Sequence, residues 1–165
     1  MPYLVEGSRP PDHVAIKAFF EQARAMDETL PEDYQVRWIG GDSDTTEAIL
    51  AHIVSGEKTG TVSLPWVAER RGCAPPKSGD AMVLIHFDGS PAIVLRIIDV
   101  KTVAYQDIRI EHTSLDGPAV RALDIWMPIH TRYFEMLLQP YELEVTGDMP
   151  VWFETFSPVY PKATS

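Results

Sequence analysis

Two β-rich runs with a three-residue turn signal between them restrict the fold of this chain more than any other feature of its sequence. The runs cover Ala81 to Phe87 and Pro91 to Val103, and they are separated by Asp88, Gly89 and Ser90. A short connection that contains glycine between two apolar runs of this kind is typical of an antiparallel hairpin. The sequence therefore predicts a β-hairpin in the middle of the chain, with the side chains of each strand alternating between two faces.

Two helices are predicted on the N-terminal side of this hairpin. Asp12 is placed to cap the first, whose apolar residues recur at helical spacing from Ile16 to Met26. The stretch Asp44-Thr45-Thr46-Glu47 has the form of a capping box and predicts the start of the second. Gly56 has the position of a left-handed residue just beyond the end of that helix.

The remaining elements follow from the same criteria. Tyr34 to Ile39 predicts a short strand, and Pro65 is suited to the first turn of a short helix. A longer helical pattern fills residues 118–138, where Pro128 should kink the helix or divide it. Asp148 to Phe156 predicts a closing strand, so we expect an α+β domain.

Size and composition indicate one globular domain. A chain of 165 residues buries about 70% of its unfolded surface, and its single cysteine, Cys73, excludes an internal disulfide. The longest apolar stretch is far shorter than the ~20 residues of a membrane span. Met1 to Glu6 contains no basic segment before an apolar core, so no secretory signal is expected. We therefore expect a soluble, cytoplasmic protein without a membrane partner.

The net charge of −10 argues against indiscriminate nucleic-acid binding, which depends on neutralising phosphates with Lys and Arg, and double-stranded DNA is not an expected partner. The charge is uneven, however. Residues 55–101 carry six basic and five acidic side chains, whereas residues 1–54 and 102–165 carry −6 and −5. A less acidic middle third suits a small anionic or nucleotide-like ligand better than a long duplex.

The middle third contains the stretch with the most evident chemistry, Gly56-x-Lys58-x-x-Thr61. Three interpretations are open. Lys58 and Thr61 could act as base and nucleophile, or as a cation and a hydroxyl donor that hold an anion. Alternatively, the stretch is a helix cap followed by a solvated lysine. In each case we expect both side chains in a turn at the rim of a cleft rather than inside a sheet.

The helical pattern of residues 118–138 places His130 on an apolar face. Trp126, His130 and Phe134 recur at i, i+4 and i+8, so His130 faces the core or a pocket wall, where a packing role and a ligand-binding role are both open. The five histidines lack metal-ligand spacing, and zinc arrays, Walker loops, nucleophile elbows and dinucleotide fingerprints are absent. We therefore expect neither a metal nor a cofactor.

The order of several motifs along most of the chain resembles the ASCH domain family, in particular its bacterial YhfF-like branch. The resemblance covers Tyr34 to Tyr160. The matching blocks are Gly56-x-Lys58-x-x-Thr61-x-Ser63, Pro76-Lys77-x-Gly79-Asp80 before the hairpin, Trp126-x-x-x-His130, and Asp148-x-Pro150-Val151 followed by Glu154 and Phe156.

The resemblance implies a PUA-like fold, a small β-barrel flanked by helices with a cleft between them. The corresponding domain boundaries are a helical extension over residues 1–33 packed on the domain, the ASCH domain over 34–160, and a tail over 161–165. The family is associated with RNA or nucleotide-like ligands. Some relatives are ribonucleases, and some small ones remove the acyl group of N4-acetylcytidine with a lysine, a threonine and a glutamate.

Carried over to this chain, the lysine and threonine are Lys58 and Thr61, and the acid falls near Asp99. Aspartate in place of glutamate sets the carboxylate about one methylene further back. The implied mechanism has Lys58 take the proton of Thr61, whose oxygen attacks the amide carbonyl while Asp99 orients the amine or the leaving group.

Six ligand-binding residues are expected around Lys58, Thr61 and Asp99. Arg96 would engage an anion, and Trp66 or Tyr105 would stack on a base. The others are Gly56, Ser63 and His130. The function implied is an RNA- or nucleotide-binding hydrolase, either a ribonuclease or an N4-acylcytidine-type amidohydrolase. The alternative is a non-catalytic RNA-binding regulatory module.

Overall fold

The structure of the protein is a computed structural model that describes residues 7–162. The N-terminal stretch analysed for a signal, residues 1–6, and residues 163–165 of the proposed tail lie outside the described residues. The helices are α1 (His13–Met26), α2 (Ser43–Val54), α3 (Pro65–Arg71), α4 (Ile110–Thr113) and α5 (Leu123–Leu138). The strands are β1 (Tyr34–Arg37), β2 (Gly60–Ser63), β3 (Ala81–Ile85), β4 (Pro91–Ala104) and β5 (Pro150–Tyr160). Short 3-10 turns cover Tyr105–Asp107 and Gln139–Tyr141.

The five strands form one sheet in the order β1-β3-β4-β5-β2. The hairpin prediction is confirmed, since β3 and β4 pair antiparallel with Val83 opposite Val94. β5 pairs antiparallel with both β4 and β2, and only β1 is parallel to its neighbour β3. β4 is 14 residues long, and its register with β5 shifts between Ile97 and Asp99. A shift of this kind bends a strand and increases its twist.

The curled sheet confirms the α+β, PUA-like class, although backbone hydrogen bonds do not close it into a full barrel. Within residues 7–162, β1 and β2 are the two edges of the sheet. Arg37 at the end of β1 nevertheless hydrogen-bonds to Glu154 on β5, directly beside β2. Side chains therefore bridge the two edges, and a cleft lies in the region between them.

Helices cover both faces of the sheet. The apolar side of α1, with Ile16 and Phe20, packs on β3 and β4. Leu50 and Ile53 of α2 pack on the opposite face. A third cluster joins α5 to β5 through buried residues that include Trp126, Phe134, Leu137, Leu138, Val151 and Phe153. No helix within residues 7–162 is long and apolar enough to cross a membrane.

Helix ends show where local sequence signals succeed and where they fail. Asp12 caps α1, and Gly56 has a φ of 82° after the end of α2, as predicted. The predicted capping box at Asp44 is wrong, because α2 starts earlier and Asp42 accepts the hydrogen bond from the Thr45 amide at 2.7 Å. Thr46 is buried instead, and its hydroxyl donates to the Ile39 carbonyl at 2.6 Å.

Pro128 does not divide α5, which runs unbroken for 16 residues. Proline in the second turn removes one backbone hydrogen bond, to the carbonyl four residues earlier. The flanking residues Trp126 and Phe134 are both almost fully buried. Their burial outweighs the cost of the missing bond, so the helix persists.

Candidate functional site

A large cleft of about 1140 Å³ lies between the two sheet edges and the helices α2 and α5. It is as large as the pockets that enclose ligands of drug or nucleoside size. Its lining contains a group of polar side chains and a larger group of apolar side chains. The polar residues that the following paragraphs use are Arg37, Lys58, Thr61, Ser63, Asp116 and His130.

Lys58 lies in the turn between α2 and β2 and is only 5% exposed, not at the rim of the cleft as predicted. Its backbone amide donates to the His52 carbonyl, and the next residue, Thr59, donates to the Leu115 carbonyl at 2.8 Å. The turn is thereby packed against the segment that precedes α5. Thr61 lies within β2, opposite Glu154, so the prediction that it stays outside the sheet is also wrong.

Asp116 is the partner of Lys58. Its Oδ1 accepts hydrogen bonds from the Lys58 ammonium at 2.9 Å and from the Gly117 amide at 3.1 Å. Its Oδ2 accepts one from the indole nitrogen of Trp126 at 3.0 Å. Three donors thus fix the carboxylate in one orientation in the cleft wall.

Burial and charge act in opposite directions on this pair. Burial lowers the pKa of Lys58 from its ordinary value, and the neighbouring carboxylate only partly offsets this. Burial alone would raise the pKa of Asp116, but the charge and hydrogen bond of Lys58, together with His130 and the Gly117 amide, lower it below its ordinary value. Lys58 is therefore easier to deprotonate than a solvated lysine, and Asp116 loses its proton more readily than a solvated aspartate.

His130 adjoins this pair from α5. Its Nδ1 lies 3.0 Å from the Trp126 carbonyl, and its ring is stacked on the Trp126 indole with 3.8 Å between ring centroids. Its Nε2 lies 3.6 Å from Asp116 Oδ2. Burial lowers the pKa of His130 more than the carbonyl and Asp116 raise it, so the imidazole is neutral at pH 7.

A second polar group occupies the sheet side of the cleft. Glu154 is fully buried, and its carboxylate accepts two hydrogen bonds from Arg37 and one from the Ser63 hydroxyl at 2.8 Å. The Gln35 side chain accepts a further bond from Arg37 at 3.1 Å. The cleft therefore contains two carboxylate–cation pairs, one on each side.

The rest of the lining is mainly apolar. Trp38 and Trp152 contribute aromatic surface from the sheet side. From α5, Ile129, Tyr133 and Met136 line the cleft although each is at least 37% exposed. An apolar wall facing a few fixed polar groups is the usual composition of a small-molecule site.

The structure brings four of the residues predicted from sequence to this cleft: Lys58, Thr61, Ser63 and His130. It does not bring Asp99 there. Asp99 is an exposed residue of β4, opposite Thr155 and next to the register shift. In this arrangement Asp116, not Asp99, is the carboxylate in contact with Lys58.

The other predicted ligand-binding residues lie away from the cleft. Arg96 forms an ion pair with Asp27 at 2.9 Å. Trp66 and Tyr105 pack against the α5 cluster, and the Tyr105 hydroxyl hydrogen-bonds to that of Thr131. Gly56 ends α2 and does not line the cleft.

Sequence reasoning missed Asp116 and Arg37 as site residues. Asp116 lies 58 residues from Lys58 in an irregular segment, where nothing in the local sequence signals the contact. Glu154 offered a weak signal, because it is an acidic residue in an otherwise apolar strand. Within residues 7–162, His, Cys, Asp and Glu do not form a group of three or more that could hold a metal ion.

The curled sheet, the flanking helices and the cleft together define a PUA-like domain. The sequence pattern described as ASCH domain matches residues 36–160, and the chain belongs to the ASCH domain family. This family has a PUA-like fold and is associated with RNA binding.

Solved structures share this fold. The crystal structure of an ASCH domain from Lactobacillus crispatus JV V101 is 21% identical, with a TM-score of 0.78 and coverage of 96% of this chain and 99% of that one. The crystal structure of protein EF3133 from Enterococcus faecalis V583 is 23% identical, with a TM-score of 0.78 and coverage of 89% of each chain. At these identities the similarity shows the fold alone. No curated protein matches the sequence.

Proposed function

We propose that this ASCH domain protein is a hydrolase that binds a nucleoside-like ligand in the cleft and cleaves an acyl amide bond on it, of the N4-acylcytidine type. The observation that carries the proposal is the buried ion pair of Lys58 and Asp116 in the cleft wall, in the same cleft as the Thr61 hydroxyl. The pair presents a positive charge, fixed in position, to whatever occupies the cleft.

Stability alone does not account for this pair. Removing a lysine from water costs several kcal/mol, and a buried ion pair often stabilises a fold no more than apolar residues of the same size. The pKa of Lys58 is lowered by burial and that of Asp116 is lowered by the lysine, a combination typical of functional sites. A catalytic role is therefore a better explanation of the pair than packing.

The charges of the cleft favour an uncharged nucleoside over a long RNA. Arg37 is bound to Glu154 and Lys58 is bound to Asp116, so these two of the cations that line the cleft already have a carboxylate partner. Binding a polyanion derives its affinity from lysines and arginines that neutralise phosphates. These pairs would have to open for that, whereas an amide carbonyl can accept a further hydrogen bond from the Lys58 ammonium without breaking the pair.

The residues then take distinct roles. The Lys58 ammonium donates to the carbonyl oxygen of the amide and stabilises the negative charge that develops on it. Asp116 holds Lys58 in place and is the acidic residue of the site, instead of Asp99, onto which the family resemblance places the acid. The Thr61 hydroxyl hydrogen-bonds to the ligand, and the apolar wall around Ile129 and Tyr133 accommodates the acyl group and the base.

A substrate panel tests the proposal. N4-acylated cytidines and short single-stranded RNAs are incubated with the wild-type protein and with Lys58→Met, and the products are separated by chromatography. We expect deacylation by the wild-type protein and a loss on the order of 10²-fold or more in Lys58→Met, as for removal of one oxyanion donor. Lys77→Met is the matched control, because Lys77 is exposed and pairs with Asp80 outside the cleft. No cleavage of either class at saturating ligand would rule out the hydrolase.

One observation favours a second function, a non-catalytic RNA-binding regulatory module. Within residues 7–162, the Lys58 ammonium hydrogen-bonds to Asp116 and not to Thr61, so it does not activate that hydroxyl as a nucleophile. A salt titration of RNA affinity distinguishes the two. A steep loss of affinity with salt, without cleavage, would support the binding module.

A further inference from the structure

His130 is held in the cleft wall by two contacts that fix both its orientation and its tautomer. A backbone carbonyl can only accept a hydrogen bond, so the 3.0 Å contact with the Trp126 carbonyl requires a proton on Nδ1. Stacking on the Trp126 ring, with 10° between the planes, prevents the imidazole from rotating away. In the neutral ring, Nε2 therefore carries a lone pair and no proton.

The surroundings of Nε2 make this lone pair available to a ligand. Within the described part of the chain, no donor hydrogen-bonds to Nε2, and Asp116 Oδ2 lies 3.6 Å from it. Both atoms are acceptors when the imidazole is neutral, so they do not satisfy each other. His130 lines the cleft and is 16% exposed, which leaves Nε2 accessible to a donor group from the cleft.

We propose that His130 is the proton-accepting residue of this cleft, with Nε2 taking a proton from the water that attacks the amide. This inference rests on the proposed hydrolase function. It assigns the base to a residue other than Lys58, whose ammonium is occupied by Asp116. Asp116 and Trp126 are then positioning residues that act through His130 and Lys58.

The reaction balances with these groups alone. A water oxygen bonds to the acyl carbon as its proton passes to Nε2, and the carbonyl π electrons move to the oxygen beside the Lys58 ammonium. When the carbon–nitrogen bond breaks, the imidazolium returns the proton to the departing amine. The products are a carboxylic acid and the free amino group of the base.

The charges around His130 suit this exchange. Asp116, from the segment before α5, lies close enough to stabilise the imidazolium that forms. Lys58, from the turn after α2, opposes it, and Trp126 and Phe134 of α5 contribute uncharged ring surface. An imidazole that is neutral at rest and has a carboxylate beside it can both accept and return a proton near neutral pH.

The test compares pH profiles of deacylation for the wild-type protein, His130→Gln and His86→Gln. We expect His130→Gln to lose 10²–10⁴-fold in kcat with little change in KM, and to lose the acidic limb of the profile. Added imidazole should partly restore activity in His130→Ala. His86, which pairs with Glu47 outside the cleft, is the control and should keep the wild-type profile. A wild-type rate and acidic limb in His130→Gln would overturn the assignment.

A second measurement separates failure of this assignment from failure of the hydrolase proposal. In ¹⁵N-histidine NMR spectra, the His130 signals should show a neutral ring protonated at Nδ1, and N4-acetylcytidine should shift the Nε2 signal. Loss of turnover on every substrate together with that shift would refute the hydrolase but support His130 as the acceptor in the cleft. An Nε2-protonated neutral ring, or no shift at saturating ligand, would refute the assignment of His130.

Discussion

The guanidinium of Arg37, at the end of β1, donates two hydrogen bonds of 2.6 and 2.8 Å to the carboxylate of Glu154 on β5. The two residues are 117 positions apart, and their strands are not neighbours in the sheet. Because Ser63 of β2 donates to the same carboxylate, one buried group connects both edges of the curled sheet. This contact fixes the shape of the cleft on its sheet side.

Breaking this contact from one side should be costly. We expect Arg37→Met to lower the free energy of unfolding by roughly 3–5 kcal/mol, because it leaves a fully buried carboxylate without its counter-charge. The double variant Arg37→Met/Glu154→Leu should recover most of that loss, and Ser63→Ala should cost less, about 1.5–3 kcal/mol. Urea unfolding followed by tryptophan fluorescence measures all three. A loss below about 1 kcal/mol in Arg37→Met would contradict the inferred role.

The fold was predictable where local signals determine it. The hairpin follows from the alternation in β3 and β4 and the glycine turn between them, and the end of α2 follows from Gly56. The start of α2 was misplaced because Asp42 and Asp44 are both good caps, and burial of Thr46 decides between them. The residues within one helical turn of the cap do not show which side chain the tertiary packing will bury.

The site was predictable only in part, for a similar reason. The Gly-x-Lys-x-x-Thr motif pointed to Lys58 and Thr61, and helical spacing placed His130 against the core or a pocket wall. All three line the cleft. The carboxylates that complete the site come from distant segments, Asp116 from an irregular loop and Glu154 from the last strand. Asp99 was chosen because the acid of the resembling family falls near it on the second strand of the hairpin, but the register shift beside it could not be seen in the sequence.

Stability should depend on pH through His130. Burial lowers the pKa of this imidazole in the folded protein below its unfolded value of about 6.5. Between the two values the unfolded chain binds more protons, so the free energy of unfolding falls as pH falls below about 6.5. We expect His130→Gln to flatten this decline in urea titrations at successive pH values.

The same urea titrations include a control variant and a test of the contribution of Asp116 to stability. His13→Gln removes an exposed imidazole at the start of α1 and should keep the wild-type decline. The pKa of Asp116 is lowered, so its contribution is present above its unfolded value of about 3.9 and is lost only at lower pH. An unchanged slope in His130→Gln above that pH would show that the imidazole is not buried as described.

The Thr61 hydroxyl should matter for ligand binding and not for folding. Within residues 7–162 it makes no side-chain hydrogen bond, although it lines the cleft from β2. Thr61→Val keeps the shape and β-branching of the side chain, so we expect the free energy of unfolding to change by less than about 0.5 kcal/mol. Deacylation should fall about 10-fold or more, as expected for a lost hydrogen bond of ~1.5 kcal/mol.

Thr61→Ser provides the matched control, because it keeps the hydroxyl. It should retain activity within a few-fold of the wild-type protein. If Thr61→Val retains full activity, the hydroxyl does not contact the ligand. If Thr61→Ser is as inactive as Thr61→Val, the site requires the methyl group as well as the hydroxyl.

RNA binding by this cleft should depend weakly on salt. Each phosphate contact on single-stranded RNA contributes about −0.7 to the slope of log affinity against log salt. Because Arg37 and Lys58 are already paired with carboxylates, we expect a slope shallower than about −1.5 for a short RNA, corresponding to at most about two contacts. Fluorescence anisotropy between about 50 and 200 mM salt measures it. A slope of about −3 or steeper would favour the RNA-binding module over the nucleoside hydrolase.

The two candidate carboxylates can be separated by substitution. Asp116→Asn keeps the size of the side chain but removes its negative charge. The Lys58 ammonium then loses its counter-ion, and the His130 imidazole loses the group that would stabilise its protonated form. We expect deacylation to fall on the order of 10²-fold or more. Asp99→Asn changes an exposed side chain that lies outside the cleft and should leave the rate within about two-fold. Steady-state kinetics on one acylated cytidine gives both rates, and circular dichroism checks the folded fraction of each variant.

The reverse result, an active Asp116→Asn and an inactive Asp99→Asn, would return the acid role to Asp99 and would require β4 to rearrange when the ligand binds.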